Sequence, residues 1–239
     1  MKTPTLSALT QSASTLARRA LDLLLPPSCA GCSQGGHFIC QACESSLPAL
    51  ERPYCSLCAR PGQPRVCERC AASSPAFDGV SAPYLFEGAA RQMVHGLKYD
   101  NLRASAPELG RLLAEYVSAN PVPGNVLVPV PLHRRRERER GYNQSELLAR
   151  ELSKRTGVPV DCGMVRRIRN TPPQASIQNY EERTGNIAHA FECPSELNGE
   201  SIVLIDDVVT TGSTMSACAA ALKAAGAGSV WGLALARQG

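Results

Sequence analysis

The sequence is poor in aromatic residues, which make up only 5% of its 239 positions. Proteins that bind single-stranded nucleic acids usually stack the bases on aromatic side chains. Between Cys29 and Cys70 the only aromatic residues are Phe38 and Tyr54. This shortage weakens a direct nucleic-acid-binding role for that segment without excluding it.

Long apolar runs are also missing. No run approaches the roughly 18 apolar residues of a membrane-spanning helix, and residues 21–25 are shorter than the ~7-residue apolar core of a secretory signal. We therefore expect no membrane insertion and a protein that stays in the cytoplasm. The basic, acid-free residues 2–19 faintly resemble an organelle transit peptide, although a frayed or amphipathic terminal segment is the commoner interpretation.

Charge and size exclude few classes of protein. The formal net charge of +4 and the pI near 8.5 suit phosphorylated ligands, but this pI is below the value of about 9 that is typical of dedicated nucleic-acid-binding domains. No G-x-x-x-x-G-K-[ST] motif occurs, which excludes a Walker-type phosphate loop. With 44% hydrophobic residues, the chain can bury a full-sized core and a smaller module besides.

Cysteine, by contrast, is abundant, and eight of the eleven cysteines form four C-x-x-C pairs. The pairs are Cys29/Cys32, Cys40/Cys43, Cys55/Cys58 and Cys67/Cys70. Two such pairs can surround one zinc ion with four thiolates, which leaves no open position for catalysis. The segment has too little apolar content to hold a fold unaided, so we predict two structural zinc ions.

Other uses of these cysteines remain open. A disulfide framework would need an oxidising compartment, and no secretion signal accompanies the cysteines. Iron binding and redox-active C-x-x-C chemistry are further alternatives. Which cysteine pairs bind the same ion is also open. A sequential assignment closes the shortest loops and costs the least chain entropy, and an interleaved assignment is the alternative.

Residues 201–226 combine a buried strand, two acidic residues, a turn and a helix. Asp206 and Asp207, the acid pair, follow the apolar residues 201–205. The glycine turn, residues 210–214, then presents backbone N–H groups at the start of a helix, an arrangement that holds anions. Carboxylates accept hydrogen bonds from a diol and bind divalent cations. A phosphate site beside a diol site indicates a ribose 5-phosphate ligand.

A second apolar strand, residues 126–130, precedes the charged run HRRRERER. Ligands of open α/β sheets bind beyond the carboxyl ends of the strands, so we expect this run, as a loop, to face the same crevice as the glycine turn. Arginine pairs phosphate oxygens in bidentate fashion, which favours a pyrophosphate-binding role for residues 133–136. A solvated face with Arg–Glu pairs explains the run equally well.

The remaining periodic segments are expected to serve packing. We predict strands over residues 80–86 and 229–236, and helices over residues 88–99, from Pro107 and from Asn143. Lys98 and Arg91 could reach a phosphate, but a solvated helix face is the commoner place for such residues.

Residues 166–191 are long, polar and aperiodic. Their length favours a mobile lid or an acceptor-facing loop, with a disordered surface loop as the alternative. The residues of interest in this segment are Arg169, Gln174, Arg183 and Asn186.

The stretch IVLIDDVVTTGST resembles the motif with which type I phosphoribosyltransferases bind phosphoribosyl pyrophosphate. Together with the C-x-x-C pairs, VLVPVPLHRRRERERGYNQSELL, RNTPPQ and RTGNIAHAF, it makes the chain similar to the ComF/GntX family. The resemblance implies an α/β fold, in which a small cysteine-rich zinc-ribbon module precedes a type I phosphoribosyltransferase-like parallel sheet flanked by helices. It implies an N-terminal segment (1–28), a double zinc ribbon (29–72) and the phosphoribosyltransferase-like domain (78–239).

The resemblance also implies a ligand and a biological setting. The protein would bind phosphoribosyl pyrophosphate, or a related ribose 5-phosphate, with Mg²⁺, and it would be associated with competence and the handling of imported single-stranded DNA. Its partners would include single-stranded DNA or DNA-uptake proteins. Transfer of a phosphoribosyl group to a nitrogen nucleophile is one hypothesis; a non-catalytic adaptor that senses a ligand and uses the zinc ribbon to bind a partner is the other.

The expected site has two parts. Asp206 and Asp207 are the expected catalytic residues and would hold the ribose hydroxyls. The expected ligand-binding residues are Val208, Val209, Thr210, Thr211, Gly212, Ser213, Thr214, Pro131, Leu132, His133, Arg134 and Arg135.

Overall fold

A parallel β-sheet forms the centre of the protein. The structure is a computed structural model that describes residues 27–63, 65–99, 103–169 and 190–239. Its strands are β1 (Gly79–Ser81), β2 (Tyr84–Leu85), β3 (Val126–Pro129), β4 (Arg166–Arg167), β5 (Phe191–Glu192), β6 (Ser201–Val209) and β7 (Ser229–Arg237). Strands β1, β7, β6 and β3 lie side by side in that order, all parallel, and β2 also pairs with β7. Strands β4 and β5 form a separate antiparallel pair.

Helices flank the sheet. They are α1 (Gln41–Ser45), α2 (Glu68–Ser73), α3 (Gly88–Tyr99), α4 (Ala106–Ala119), α5 (Arg134–Arg140), α6 (Gln144–Thr156) and α7 (Ser213–Ala224). Pro107 lies in the first turn of α4, and the Asn143 side chain caps α6 by accepting a hydrogen bond from the Ser145 amide at 3.0 Å. The predicted α/β fold is confirmed.

The sheet separates two hydrophobic cores. Successive side chains of a strand point to opposite faces, and in β6 Val203 and Ile205 belong to one core while Ile202 and Leu204 belong to the other. Both sets are almost fully buried. A continuous apolar run is therefore needed in β6, since a polar residue on either face would be buried without a partner.

The cysteine-rich segment straddles one edge of this sheet. Residues 48–50 run antiparallel to β2, with hydrogen bonds from the Leu85 amide to the Pro48 carbonyl and from the Leu50 amide to the Pro83 carbonyl, both 2.8 Å. We call residues 48–50 the strap. Of the cysteines before the strap, Cys29, Cys40 and Cys43 pack into the core that contains Val203, and the four cysteines of the segment after it pack into the core that contains Ile202. One half of the segment thus lies on each face of the sheet.

Strand β6 is longer than the apolar run alone predicts. We expected the acid pair after the strand, but Asp206 and Val208 still pair with Ala234 and Ala236 of β7. The acid pair therefore lies within a paired strand, where the backbone hydrogen bonds hold it in place.

Two further expectations differ from the structure. The strand expected over residues 80–86 is divided into β1 and β2, and the break contains Pro83, which has no N–H to donate. The run HRRRERER, expected as a loop, forms α5. The His133 side chain accepts from the Arg135 amide at 3.2 Å, and the helix ends at Gly141, whose φ is 80°.

Among the described residues, no helix has both the length and the apolar character to cross a membrane. The segment expected to be a lid is described only at its ends, in β4 and β5. Gln174, Arg183 and Asn186 lie outside the described residues, and Arg169 is exposed.

Candidate functional site

The acid pair lies in a network of side chains from three elements. Asp207 is only 5% exposed and forms an ion pair with Lys98 of α3, at 2.7 Å between Nζ and Oδ1. Asp206 accepts a hydrogen bond from the Ser145 hydroxyl of α6 at 3.0 Å and another from the Asp207 amide at 2.9 Å. The two carboxylates are thus held at the sheet surface by one cation and one hydroxyl.

Lys98 corrects an expectation from the sequence, which put it on a solvated helix face. Its position follows from helical spacing, because Lys98 comes four residues after Val94, which is fully buried in α3. That spacing was the sequence signal for an inward-facing Lys98. The usual preference of lysine for water led to the opposite expectation. Arg91, on the same helix, is exposed as expected.

The network shifts the protonation of its members. Burial, and then the charge of Asp207, raise the pKa of Asp206 to about 7. Burial lowers the pKa of Lys98, but the carboxylate of Asp207 outweighs it, so the pKa of Lys98 is raised overall. Asp206 therefore changes its charge near neutral pH, while Lys98 keeps its proton.

The glycine turn connects β6 to α7. Gly212 has φ of +81°, a left-handed conformation that suits glycine, and α7 begins at the next residue. The hydroxyls of Thr211 and Ser213 are 2.8 Å apart, and the Ser213 amide donates to the Thr211 hydroxyl at 3.3 Å. The turn therefore groups hydroxyls and backbone amides at the N-terminus of a 12-residue helix.

A cavity of about 520 Å³ lies at the carboxyl end of β3, and we call it the arginine cavity. Its lining residues are Pro131, Leu132, His133, Arg134, Glu137, Cys162, Val165, Arg166, Arg167, Ile168 and Glu192. Burial and the nearby Arg136 lower the pKa of Arg167, while Asp206 acts in the opposite direction. The charge of Arg167 thus connects this cavity electrostatically to the acid pair.

The cysteines form two separate sites in sequential order. Cys29, Cys32, Cys40 and Cys43 make the first cysteine site, and Cys55, Cys58, Cys67 and Cys70 make the second. In each, all four sulfur atoms lie within 4.8 Å of one another.

The sulfur distances fit zinc and exclude disulfides. Cys32 and Cys40 have sulfurs 3.7 Å apart, and Cys58 and Cys67 have sulfurs 3.8 Å apart. Four sulfurs at about 2.3 Å from a tetrahedral zinc ion are about 3.8 Å from one another. A disulfide needs about 2.05 Å, and all these cysteines are free.

Both cysteine sites repeat one backbone pattern. The sulfur of Cys29 accepts from the amides of Gly31 and Cys40, at 3.4 and 3.3 Å, and that of Cys55 accepts from Cys58 and Cys67, at 3.5 and 3.3 Å. Burial raises the pKa of each of these two thiols, but the backbone donors outweigh burial and lower it to about 6. Such donors favour the thiolate that zinc requires.

Comparison with known proteins agrees with both parts of the chain. A family profile described as "Double zinc ribbon domain" matches residues 20–72, and one described as "Phosphoribosyl transferase domain" matches residues 140–238. The DNA utilization protein YhgH of Salmonella typhi is 31% identical over 214 residues, which are 80% of this chain and 93% of the relative. The chain belongs to the ComF family.

Two other ComF relatives are more distant. Competence protein F of Haemophilus influenzae is 28% identical and covers 82% of this chain and 90% of its own length. Competence protein ComFC of Bacillus subtilis is 28% identical over 74% of each chain. Among solved structures, the glutamine phosphoribosylpyrophosphate amidotransferase of B. subtilis overlaps 54% of this chain and 26% of its own, with a TM-score of 0.37 and 22% identity.

The structure of this ComF-family chain brings together only some of the ligand-site residues expected from the sequence. Asp206, Asp207 and the glycine turn lie along the end of β6, and Pro131, Leu132, His133 and Arg134 line the arginine cavity. Arg135 instead pairs with Glu139 at 2.8 Å, and both are exposed, as in the alternative of a solvated face. Ligand binding by the expected residues stays a prediction.

Sequence reasoning missed two polar residues at the start of α6. Ser145 reaches the acid pair, as described above. Gln144 is 1% exposed, and within the described residues its Nε2 is the buried side-chain atom without a hydrogen-bond partner. The neighbouring Asn143 also donates to the Val130 carbonyl at 3.0 Å, which joins this helix start to the end of β3. The only sequence signal was the polar cluster that precedes the helix.

Proposed function

We propose that this ComF-family protein binds phosphoribosyl pyrophosphate, or a related ribose 5-phosphate, together with Mg²⁺. The observation that carries the proposal is the acid pair with its partners Lys98 and Ser145, directly followed by the glycine turn at the end of β6. A turn that groups amides and hydroxyls at the N-terminus of a helix suits a phosphate, and an adjacent carboxylate pair suits a diol.

Each part of the site then has one task. The amides and hydroxyls of residues 210–214 bind the 5-phosphate. Asp206 and Asp207 accept hydrogen bonds from the ribose hydroxyls and contribute negative charge for Mg²⁺, whose preferred ligands are oxygens. His133 and Arg134 bind the pyrophosphate, because they line the arginine cavity, and β3 and β6 are parallel neighbours whose carboxyl ends lie at the same edge of the sheet.

Without a nearby cation, the acid pair would lower the stability of the folded protein. Two adjacent carboxylates repel each other, and Asp207 is almost fully buried. Lys98 compensates this charge in the protein without ligand. Mg²⁺, held with the ligand by Asp206 and Asp207, would supply a second positive charge beside these carboxylates, and Lys98 would then be available to the phosphates of the ligand.

As an enzyme, the protein would transfer the phosphoribosyl group to a nitrogen nucleophile. The bond between ribose C1 and the pyrophosphate oxygen breaks, a C1–N bond forms, and the nitrogen loses its proton to solvent. Negative charge grows on the leaving pyrophosphate, and Arg134 and His133 would stabilise that charge. As a sensor, the protein would use the same contacts without this transfer.

The names of the relatives supply the biological context of the proposal. YhgH is called a DNA utilization protein and the other two relatives are called competence proteins. By this analogy, we propose that the protein works in the handling of imported single-stranded DNA, with DNA or DNA-uptake proteins as partners.

Calorimetry with phosphoribosyl pyrophosphate and Mg²⁺ tests the proposal before any acceptor is known. We expect binding to the wild type and a loss of at least about tenfold in affinity for Asp207→Asn, which removes a charged acceptor of the ligand. Glu115→Gln, an exposed carboxylate of α4, is the matched control and should bind like the wild type. No heat of binding to the wild type would contradict the proposal, and pyrophosphate release with an acceptor would establish the enzyme.

A second function is favoured by the arginine cavity. Arg134, Arg166 and Arg167 converge there with His133, which suits the phosphates of a single strand. The guanidinium of Arg167 lies over the Phe191 ring, at 5.4 Å from the ring centre, and so partly covers that face of the ring. We expect salt-dependent binding of single-stranded DNA that Arg134→Gln and Arg166→Gln weaken. Unchanged affinity in both variants would contradict a DNA site at this cavity.

A further inference from the structure

Arg237, the last residue of β7, is 1% exposed although it carries a full charge. Its guanidinium donates to three segments of the chain. Nε donates to the Cys58 carbonyl at 2.7 Å, and Nη1 donates to the carbonyls of Thr210 and Val209 at 2.6 and 3.1 Å. Nη1 also donates to the carbonyl of Gln238. The side chain thus joins the second cysteine site directly to the first residue of the glycine turn.

The sulfur of Cys58 provides the balancing charge for Arg237. Nη2 lies 3.7 Å from that sulfur, and among the described residues no carboxylate forms an ion pair with Arg237. Four thiolates around one Zn²⁺ carry a net charge of about −2. A buried cation without such a partner would be strongly unfavourable, so the zinc-loaded site stabilises the position of Arg237.

A second contact links the same two regions. Phe77 follows the cysteine-rich segment, and its ring carbons lie 3.5 Å from the place where a Cβ on Gly212 would stand. The amide of Ala76 donates to the Ser216 hydroxyl in the first turn of α7 at 3.0 Å. Cys58, Phe77 and Val209 belong to one buried cluster. The glycine turn therefore rests on the second half of the cysteine-rich segment.

The first cysteine site offers a natural comparison. It packs in the other core with Leu97 and Leu109, and its half of the segment is tied to α4 by the ion pair between Glu44 and Arg111, at 2.5 Å. Within the described part of the chain, the hydrogen bonds of the first site's cysteines stay within residues 29–46. The two sites are alike in local geometry but differ in what they contact.

We propose that Arg237 is a positioning residue that fixes the glycine turn to the second cysteine site, so that zinc at the second site, and not at the first, orders the phosphate-binding backbone. The carbonyls of Val209 and Thr210 are the atoms through which it acts. Because one planar guanidinium binds both carbonyls, they set the direction in which the chain leaves β6. They thereby set the orientation of the backbone amides that follow. The part of this inference that concerns ligand affinity rests on the proposed function.

Hydrogen exchange without ligand tests the coupling. In Arg237→Lys the positive charge remains, but a single ammonium group cannot make all the hydrogen bonds of the planar guanidinium. We expect amides of residues 210–214 to exchange about tenfold faster or more, because two charged hydrogen bonds are weakened, with β3 unchanged. Lys223→Gln is the control: it removes the 2.6 Å ion pair with Asp78 near the other end of α7 and should leave the turn protected. Equal exchange in the two variants, or faster exchange throughout, would overturn the proposal.

Zinc removal provides an independent arm. Cys70→Ser, at the second site, should speed exchange in the turn, whereas Cys32→Ser, at the exposed position of the first site, should not. Equal effects of the two serine variants would contradict the proposal, and if Cys70→Ser does not fold, the Arg237→Lys comparison decides by itself.

Calorimetry then tests the link to function. With phosphoribosyl pyrophosphate and Mg²⁺ we expect about tenfold weaker binding for Arg237→Lys than for Lys223→Gln. If the wild type itself does not bind, the proposed function fails, while hydrogen exchange still decides the role of Arg237. Wild-type affinity in Arg237→Lys would overturn the positioning role.

Discussion

Asp206 is a residue of the acid pair whose ionisation changes near neutral pH. Its pKa is raised to about 7, so the folded protein binds a proton that the unfolded chain has already released at that pH. The resulting stability is fully present below the unfolded pKa of about 4 and is lost as pH rises through about 7. The ligand-free protein should therefore become less stable between these values, because Asp206 becomes charged in a partly buried place beside Asp207.

Asp206→Asn should remove this pH dependence. Relative to the wild type, the variant is expected to gain roughly 1–3 kcal/mol of unfolding free energy between pH 5 and pH 8, with part of the shift screened because Asp206 is only half-buried. Urea unfolding at both pH values, without Mg²⁺, measures it. Glu115→Gln, an exposed carboxyl of α4, is the control, and parallel pH curves for Asp206→Asn and the wild type would contradict the expectation.

Lys98 supplies the positive charge in the same network. Lys98→Met should destabilise the protein by roughly 1–3 kcal/mol at pH 8, because the buried Asp207 side chain loses its ion-pair partner. The double variant with Asp207→Asn should recover most of that loss, since no buried charge is then left unpaired. Urea unfolding of the four proteins of this cycle gives the coupling energy, and strictly additive effects would show that the ion pair contributes nothing.

At the scale of elements, the loop between Cys29 and Cys32 is the tightest part of the first cysteine site. A Cβ on Gly31 would stand 2.6 Å from the sulfur and 3.0 Å from the Cβ of Cys43, and 3.3 Å from the Cβ of Ala89 in α3. The close approach, and not an unusual backbone angle, requires glycine here.

Gly31→Ala should therefore displace Cys43 and lower the zinc content from about two ions per chain to about one. The nearby Gly35→Ala is a matched control, because a Cβ there would meet no atom within 4 Å. Elemental analysis after dialysis measures both variants. Two ions in Gly31→Ala would mean that the loop adjusts without losing its ligand.

At the scale of the whole molecule, the cysteine-rich segment is part of both hydrophobic cores. Cys29, Cys40 and Cys43 contribute to one core, and the second cysteine site contributes to the other. The strap between the sites pairs with the edge strand β2 and covers part of that edge of the sheet. Loss of zinc should consequently weaken the sheet and not only the segment that binds it.

A strong chelator is expected to lower the unfolding midpoint of the entire chain by roughly 10 °C or more. The single tryptophan, Trp231, is a suitable probe because it lies in β7, opposite Gly79 of β1, outside the cysteine-rich segment. We expect its fluorescence and the release of zinc to follow one transition. An unchanged Trp231 midpoint after complete zinc removal would show that the segment folds independently of the sheet.

Much of the fold could be predicted because its signals are local. The C-x-x-C spacing, the apolar run of β6 and the turn before α7 each depend on residues close in sequence, whose geometry is set by the backbone. The same spacing favoured the sequential pairing of cysteines that the structure has. Where a local signal was ambiguous, as in HRRRERER, the helix propensity of Arg and Glu and the His133 cap decided for α5 against the expected loop.

By itself, then, the sequence determined the family, the parallel sheet, the two cysteine sites and the acid pair with its turn. Only the tertiary structure decided that Lys98 neutralises Asp207, that Ser145 reaches Asp206, and that Arg237 ties the second cysteine site to the glycine turn. The physical reason is sequence separation: Arg237 contacts Cys58 across 179 positions. Contacts of that range depend on how the sheet and helices pack, which no local periodicity contains.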